Sequence, residues 1–113
     1  MPRKKQVEAV YKELLFDGQY KNFHEFMSVN KEILYKGIVD IYDGLKNKTD
    51  DESLKLRVGA KIKGHDWDTK FEFKKRDSIV LTRDLIPYFL EIEDYETCDY
   101  INKLHKELNC VDI

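Results

Sequence analysis

The densest run of chemistry-bearing side chains is His65-Asp66-Trp67-Asp68, one imidazole and two carboxylates within four residues. Imidazole nitrogens and carboxylate oxygens are both metal ligands, so this run is the first place to look for a metal site. The local pattern argues against it. Asp68 alternates with Trp67, so on an extended chain the two project to opposite sides, and no further His or Cys cluster stands nearby in sequence. A polar turn in which Trp67 seals the edge of the core is the simpler reading. His105 and Cys110, five residues apart across a helix end, form an equally unsupported pair. Cys98 and Cys110 are the only cysteines and lack metal or redox spacing. Both are expected to be reduced, Cys98 as a small apolar residue on a helix face. No Ser, Cys or Lys sits in a nucleophile motif, and the five scattered glycines form no phosphate-binding loop. The expectation is a non-enzyme with no cofactor and no metal.

Charge is the next signal, because it is divided along the chain. Residues 53–76 hold eight bases against three acids, whereas residues 84–99 hold six acids and no base. A basic segment suits an anionic partner, and phosphate is the commonest. Lys55, Arg57, Lys61, Lys63, Lys70 and Lys74, with a basic N-terminal arm of Arg3, Lys4 and Lys5, are therefore the candidate nucleic-acid contacts. Lys predominates there, which suits backbone contact more than base readout, and the wet face carries no aromatic on which a base would stack. The competing reading is a solvated sheet face on which Lys discourages edge pairing. The acidic stretch has its own candidates. Tyr88, Glu91, Glu93, Tyr95, Glu96, Asp99 and Tyr100 combine acids with tyrosines, a combination suited to a protein interface. The same acids can instead face water or pair with the chain's own basic hairpin. A helix-turn-helix around Ser28-Val29-Asn30 is a further reading, but Lys31, Lys36 and Asp40 make a poor recognition face and the turn has no glycine.

The elements that must position these groups follow from hydrophobic periodicity. Val7, Val10, Tyr11, Leu14 and Leu15 fall at helical spacing and predict a helix over 4–16, stopped by Gly18. Asn22 with Glu25 reads as a capping box for a short turn carrying Phe23 and Phe26. Asn30 caps a longer helix with Ile33, Leu34, Ile38, Ile41, Tyr42 and Leu45, and Gly37 inside it marks a close approach by another element. A polar loop covers 46–53. Leu54, Leu56, Val58, Ala60 and Ile62 alternate with Lys55, Arg57, Gly59, Lys61 and Lys63. Trp67, Thr69, Phe71 and Phe73 then alternate with Asp68, Lys70, Glu72 and Lys74. Period 2 on both sides of Gly64-His65-Asp66 predicts a β-hairpin with one buried and one wet face. A two-residue loop at His65-Asp66 pairs Ile62 with Thr69, Ala60 with Phe71 and Val58 with Phe73. It also sets Lys61 against Lys70 and Arg57 against Lys74, an unfavourable ladder. Ser78 to Thr82 reads as a third strand, antiparallel to the second. Asp84 then caps a helix with Pro87 in its first turn, and Asp94 caps the last helix, bearing Cys98, Ile101, Leu104 and Leu108.

The expected fold is α+β. N-terminal helices precede a three-stranded antiparallel β-meander, and C-terminal helices pack on one sheet face. At 113 residues with 42% hydrophobic content, a single domain spanning 1–113 with one core is expected, with 109–113 as a frayed tail. No run of about 18 apolar residues predicts a membrane span, and no signal-peptide core follows the basic N-terminus, which points to the cytoplasm. Lys outnumbers Arg sixteen to four and only two alanines occur, a coding bias that suits an AT-rich source such as a phage. The reading these features favour is a small protein that docks a macromolecular partner, most simply a protein, as regulator, adaptor or inhibitor. Nucleic-acid binding through the basic hairpin is the alternative. A small enzyme with a dispersed site is the third reading, and opposite charged faces also allow self-association.

Overall fold

The computed structural model describes residues 10–109. Its order is β1 (Val10–Tyr20), α1 (Phe23–Leu45), β2 (Ser53–Ile62), β3 (His65–Lys74), a 3₁₀ turn (Lys75–Asp77), a π-helical turn (Leu81–Leu85), α2 (Ile86–Glu91) and α3 (Tyr95–Leu108). The α+β class holds. The sheet has the order β1-β2-β3, with β1 parallel to β2 and β2 antiparallel to β3. It is therefore a mixed sheet and not an antiparallel meander.

Three sequence expectations fail for identifiable reasons. The helix expected over 4–16 is strand β1 where it is described. Val10, Tyr11, Leu14 and Leu15 fit helical spacing, but Lys12, Leu14 and Phe16 also alternate with Glu13, Leu15 and Asp17, and the burial pattern along β1 follows that period of 2. A parallel partner, β2, decides the ambiguity by pairing Leu14 with Val58 and Leu15 with Gly59. The break expected at Ser28-Val29-Asn30 is absent, and with it the helix-turn-helix. Helix α1 runs unbroken through Asn30, whose buried amide turns back to donate to the Phe26 carbonyl at 3.0 Å. The third strand expected at Ser78 to Thr82 is helical. Its β-branched run suggested a strand, but Leu81, Leu85 and Phe89 are almost fully buried at a spacing of four, a helical stripe. Asp84 consequently lies inside the π turn and caps nothing.

Other local signals are realised. The Asn22 side chain accepts from the Glu25 N–H at 2.8 Å and starts α1, while Glu25 Oε1 accepts from the Lys21 N–H at 2.6 Å. Asp94 caps α3, accepting from both the N–H and the hydroxyl of Thr97. Pro87 sits in the first turn of α2. The hairpin forms, but its two-residue turn is Lys63-Gly64, both with positive φ (56° and 78°), the geometry of a type I′ turn. The observed pairs are Ile62 with His65, Ala60 with Trp67, Val58 with Thr69 and Leu56 with Phe71. The expected register is thus displaced by four residues along the partner strand. An even displacement leaves every side chain on its expected face but gives it a new neighbour.

The inner face of the sheet is covered by α1, and the approach is close. A Cβ on Gly37 would stand 2.9 Å from Leu14 Cδ1 and 3.9 Å from Leu56 Cδ1. The C-terminal helices join the core along the other flank of α1. Tyr100 Oη donates to Asp43, Lys36 reaches Asp94, and Lys46 reaches Glu107, so α3 runs beside α1 in the same direction. Tyr42 is fully buried at this junction. Its ring meets Phe73 edge-on, its hydroxyl donates to the Asp77 carbonyl at 3.0 Å, and burial pushes its phenol well above the usual range.

Two outcomes test this packing. Gly37→Leu should cost about 1–3 kcal/mol in urea unfolding, because the added side chain overpacks the α1–sheet contact. Asp94→Ala should lower the thermal midpoint at neutral pH, while Asp94→Asn should retain most of it. The Thr97 hydrogen bonds hold the Asp94 carboxyl below its ordinary value of 3.8. Its contribution is therefore present above that value and lost as pH falls through the lowered one, so the wild-type and Asp94→Ala midpoints should converge in acid.

Candidate interaction site: an apolar cleft beside the open edge of β3

The alternation of β3 sends Trp67, Thr69, Phe71 and Phe73 inward, toward α1. The helix lies over β1 and β2 and leaves part of this face uncovered. Phe71 remains 43% exposed, whereas Leu56, its direct cross-strand neighbour, is 2% exposed. Between α1 and the hairpin lies a cleft of about 370 Å³, walled by Phe23, Met27, Tyr35 and Ile38 from the helix and by Trp67 and Phe71 from the strand. Its lining is apolar or aromatic throughout, and its volume falls within the range of natural small binding pockets. The floor is rigid. Phe26 is fully buried beneath it, in edge contacts with Phe16, Tyr20 and Trp67 at ring separations of 5.1–5.7 Å. Beyond the cleft the sheet ends at β3, its outer strand. Lys31 Nζ stands over the rings of Tyr35 and Tyr88, at 5.5 and 5.2 Å, and places one cation beside Tyr35 at the cleft wall.

The outer face of the hairpin carries the residues expected to contact nucleic acid. Arg57 forms a fork with Asp68 (2.6 Å from Nη2 to Oδ2) and reaches Glu13 Oε2 at 3.0 Å, and these bonds to Asp68 and Glu13 push its guanidinium still higher. Lys55 lies 3.7 Å from Glu72, and Lys61 lies 3.1 Å from Asp66. The segment is basic in sequence, but in space a ladder of carboxylates runs through it, and one rung, Glu13, comes from a strand the helical spacing concealed. Lys63 occupies the turn. Lys70 stands across from Arg57 and Lys74 across from Ser53. Arg3, Lys4 and Lys5 lie outside the described residues, as does Cys110.

The acidic and tyrosine candidates separate into two groups. Tyr88 is half-buried against Tyr35 and Phe89. Tyr100 is tied to Asp43; this bond raises the phenol and lowers the carboxyl. Asp99 pairs with Lys103 at 3.2 Å. Glu91, Glu93, Tyr95 and Glu96 remain exposed at the α2–α3 corner, where Glu93 takes a left-handed φ of 61° and Tyr95 is 61% exposed. The sheet and helix charges thus find separate partners, hairpin bases within the sheet and Lys36 and Lys46 along α3.

Among the described residues no group of three or more His, Cys, Asp or Glu is placed to hold a metal ion, and His65 and Asp66 stand exposed at the hairpin end. Burial raises the Cys98 thiol. No helix among the described residues is long and apolar enough to cross a membrane. No family model, no curated protein and no solved structure matches the chain.

Phe71 and Leu56 are adjacent and both apolar, yet only one is enclosed. Leu56→Ala should cost about 2–5 kcal/mol in urea unfolding. Phe71→Ala should cost roughly 1 kcal/mol or less, because much of its ring is already in water. Equal losses would show that the cleft is closed in solution.

Proposed function

We propose that the chain is a non-catalytic docking domain that takes up a protein partner at the apolar cleft and the adjacent edge of β3, serving as regulator, adaptor or inhibitor. One observation carries this reading: an aromatic-lined cleft opens beside a sheet edge, so main-chain hydrogen bonds and apolar anchoring are offered side by side. Strand addition to a sheet edge uses both, with backbone pairing supplying affinity and alternate side chains entering pockets. Exposed aromatics in such a cleft have the composition of an interface centre. The outer face supports nucleic-acid binding less well, since Lys55, Arg57 and Lys61 already have carboxylates within 4 Å.

The test is recovery of partners from source-cell lysate on the immobilised chain, with half the sample treated with nuclease and Phe71→Lys run in parallel. A protein partner that survives nuclease and whose recovery falls roughly tenfold with Phe71→Lys is the expected result, since tenfold corresponds to about 1.4 kcal/mol. Recovery that collapses with nuclease would move the function to the Lys55–Lys74 face. Equal recovery by both proteins would remove the cleft from the function.

A further inference from the structure

We infer that the open edge of β3 takes a second copy of this chain, forming an antiparallel two-fold pair centred on Phe71. This inference rests on the docking reading above and names the partner for its edge. The first support is the contrast between the two edges of the sheet. β1 has irregular register at Val10/Lys12 and at Leu15/Gln19, contains Gly18, and turns Lys12 inward to Asp40 at 3.1 Å. Bulges and inward charges are the devices that keep an edge from pairing. β3 has none of them. It runs ten residues with no Gly or Pro, in continuous register with β2 from Ser53–Lys74 to Ile62–His65. Among the described residues no strand covers its other side.

The second support is self-complementarity. Paired residues in an antiparallel ladder project to the same face, so inner faces match only in registers that differ by even steps. With the two-fold axis at Phe71, Asp68 meets the partner's Lys74, Lys70 meets the partner's Glu72, and each pair occurs twice. Moving the axis to Lys70 sets Asp68 against Glu72. Moving it to Glu72 sets Lys70 against Lys74. Moving it to Thr69 sets Asp66 against Glu72. Among face-matched registers that pair five or more residues of the strand, the Phe71 register alone is free of like-charge pairs. On the inner face the same register stacks Phe71 on the partner's Phe71 and covers the exposed ring.

Light scattering over a concentration series should give a mass rising toward twice the 13.5 kDa of one chain. Lys70→Glu should hold the mass at one chain, and Lys70→Glu with Glu72→Lys should restore the rise. In a Cys98→Ala, Cys110→Ser background, Phe71→Cys should oxidise to a covalent dimer, since directly opposed Cα atoms lie within disulfide reach, and Thr69→Cys should not. A single-chain mass at every concentration overturns the inference. A double variant that folds by circular dichroism without restoring the dimer overturns the register, as does Thr69→Cys linking as readily as Phe71→Cys. If the chain is monomeric yet its nuclease-resistant lysate partner still depends on Phe71, only the second copy is lost and the docking reading stands.

Discussion

A single helix cannot cover three strands, and the rest of this structure depends on that mismatch. An α-helix with its side chains is about 10–12 Å across, whereas adjacent strands lie about 4.8 Å apart. Helix α1 is drawn down onto β1 and β2 by Gly37, which admits Leu14 and Leu56 against its backbone. Having closed over two strands, it leaves the third partly bare. The C-terminal helices do not make up the deficit, because they join α1 on its far flank through Tyr100, Asp94 and Glu107. The cleft is the geometric remainder of a sheet one strand wider than its helix.

The same mismatch explains why the cleft is rimmed by aromatics and not collapsed. Phe26 holds its floor in place through rings from β1 and β3 together, and Tyr42 fastens the far end of the helix to Phe73 and to the carbonyl of Asp77. These contacts join α1 to the hairpin at both ends of the cleft. Between them the separation of helix and strand is set by buried neighbours that a shift would have to disrupt. Phe71 is in consequence an aromatic whose burial the fold does not require.

How far the sequence disclosed this arrangement depended on the range of the interactions. Short-range signals were legible: the Asn22 and Asp94 caps, the close approach at Gly37, the period-2 faces of the hairpin, Pro87 at a helix start. Two failures involved contacts distant in sequence and two were local, the return of the Asn30 amide by one turn and the hairpin turn at Lys63-Gly64 instead of His65-Asp66. The apolar residues of β1 satisfy two periods at once, and only pairing with β2, some 45 residues on, selects the strand. Asn30 looks like a cap until its amide is seen returning to Phe26. Ser78 to Thr82 has strand propensity, but Leu81, Leu85 and Phe89 have a helical partner set across the core. Of the candidate site, the inward aromatics were legible as a core face. Their incomplete cover was not, because it depends on which helix lies where.

The charge layout shows most directly how topology changes the meaning of a composition. Read along the chain, residues 53–76 are strongly basic. Read across the sheet, Arg57 lies between Glu13 of β1 and Asp68 of β3, and Lys55 and Lys61 each reach an acid of β3. The parallel strand contributes a second acid to Arg57, and this is possible only because residues 10–16 form a strand. The outward charges of β3, Asp68, Lys70, Glu72 and Lys74, stand beside the edge that is neither bulged nor covered. A strand carrying only solubilising charge would be expected to oppose pairing with like charges or an inward lysine, as β1 does with Lys12. On β3 these outward charges alternate in sign around an exposed phenylalanine, a pattern that discriminates among registers instead of forbidding them all.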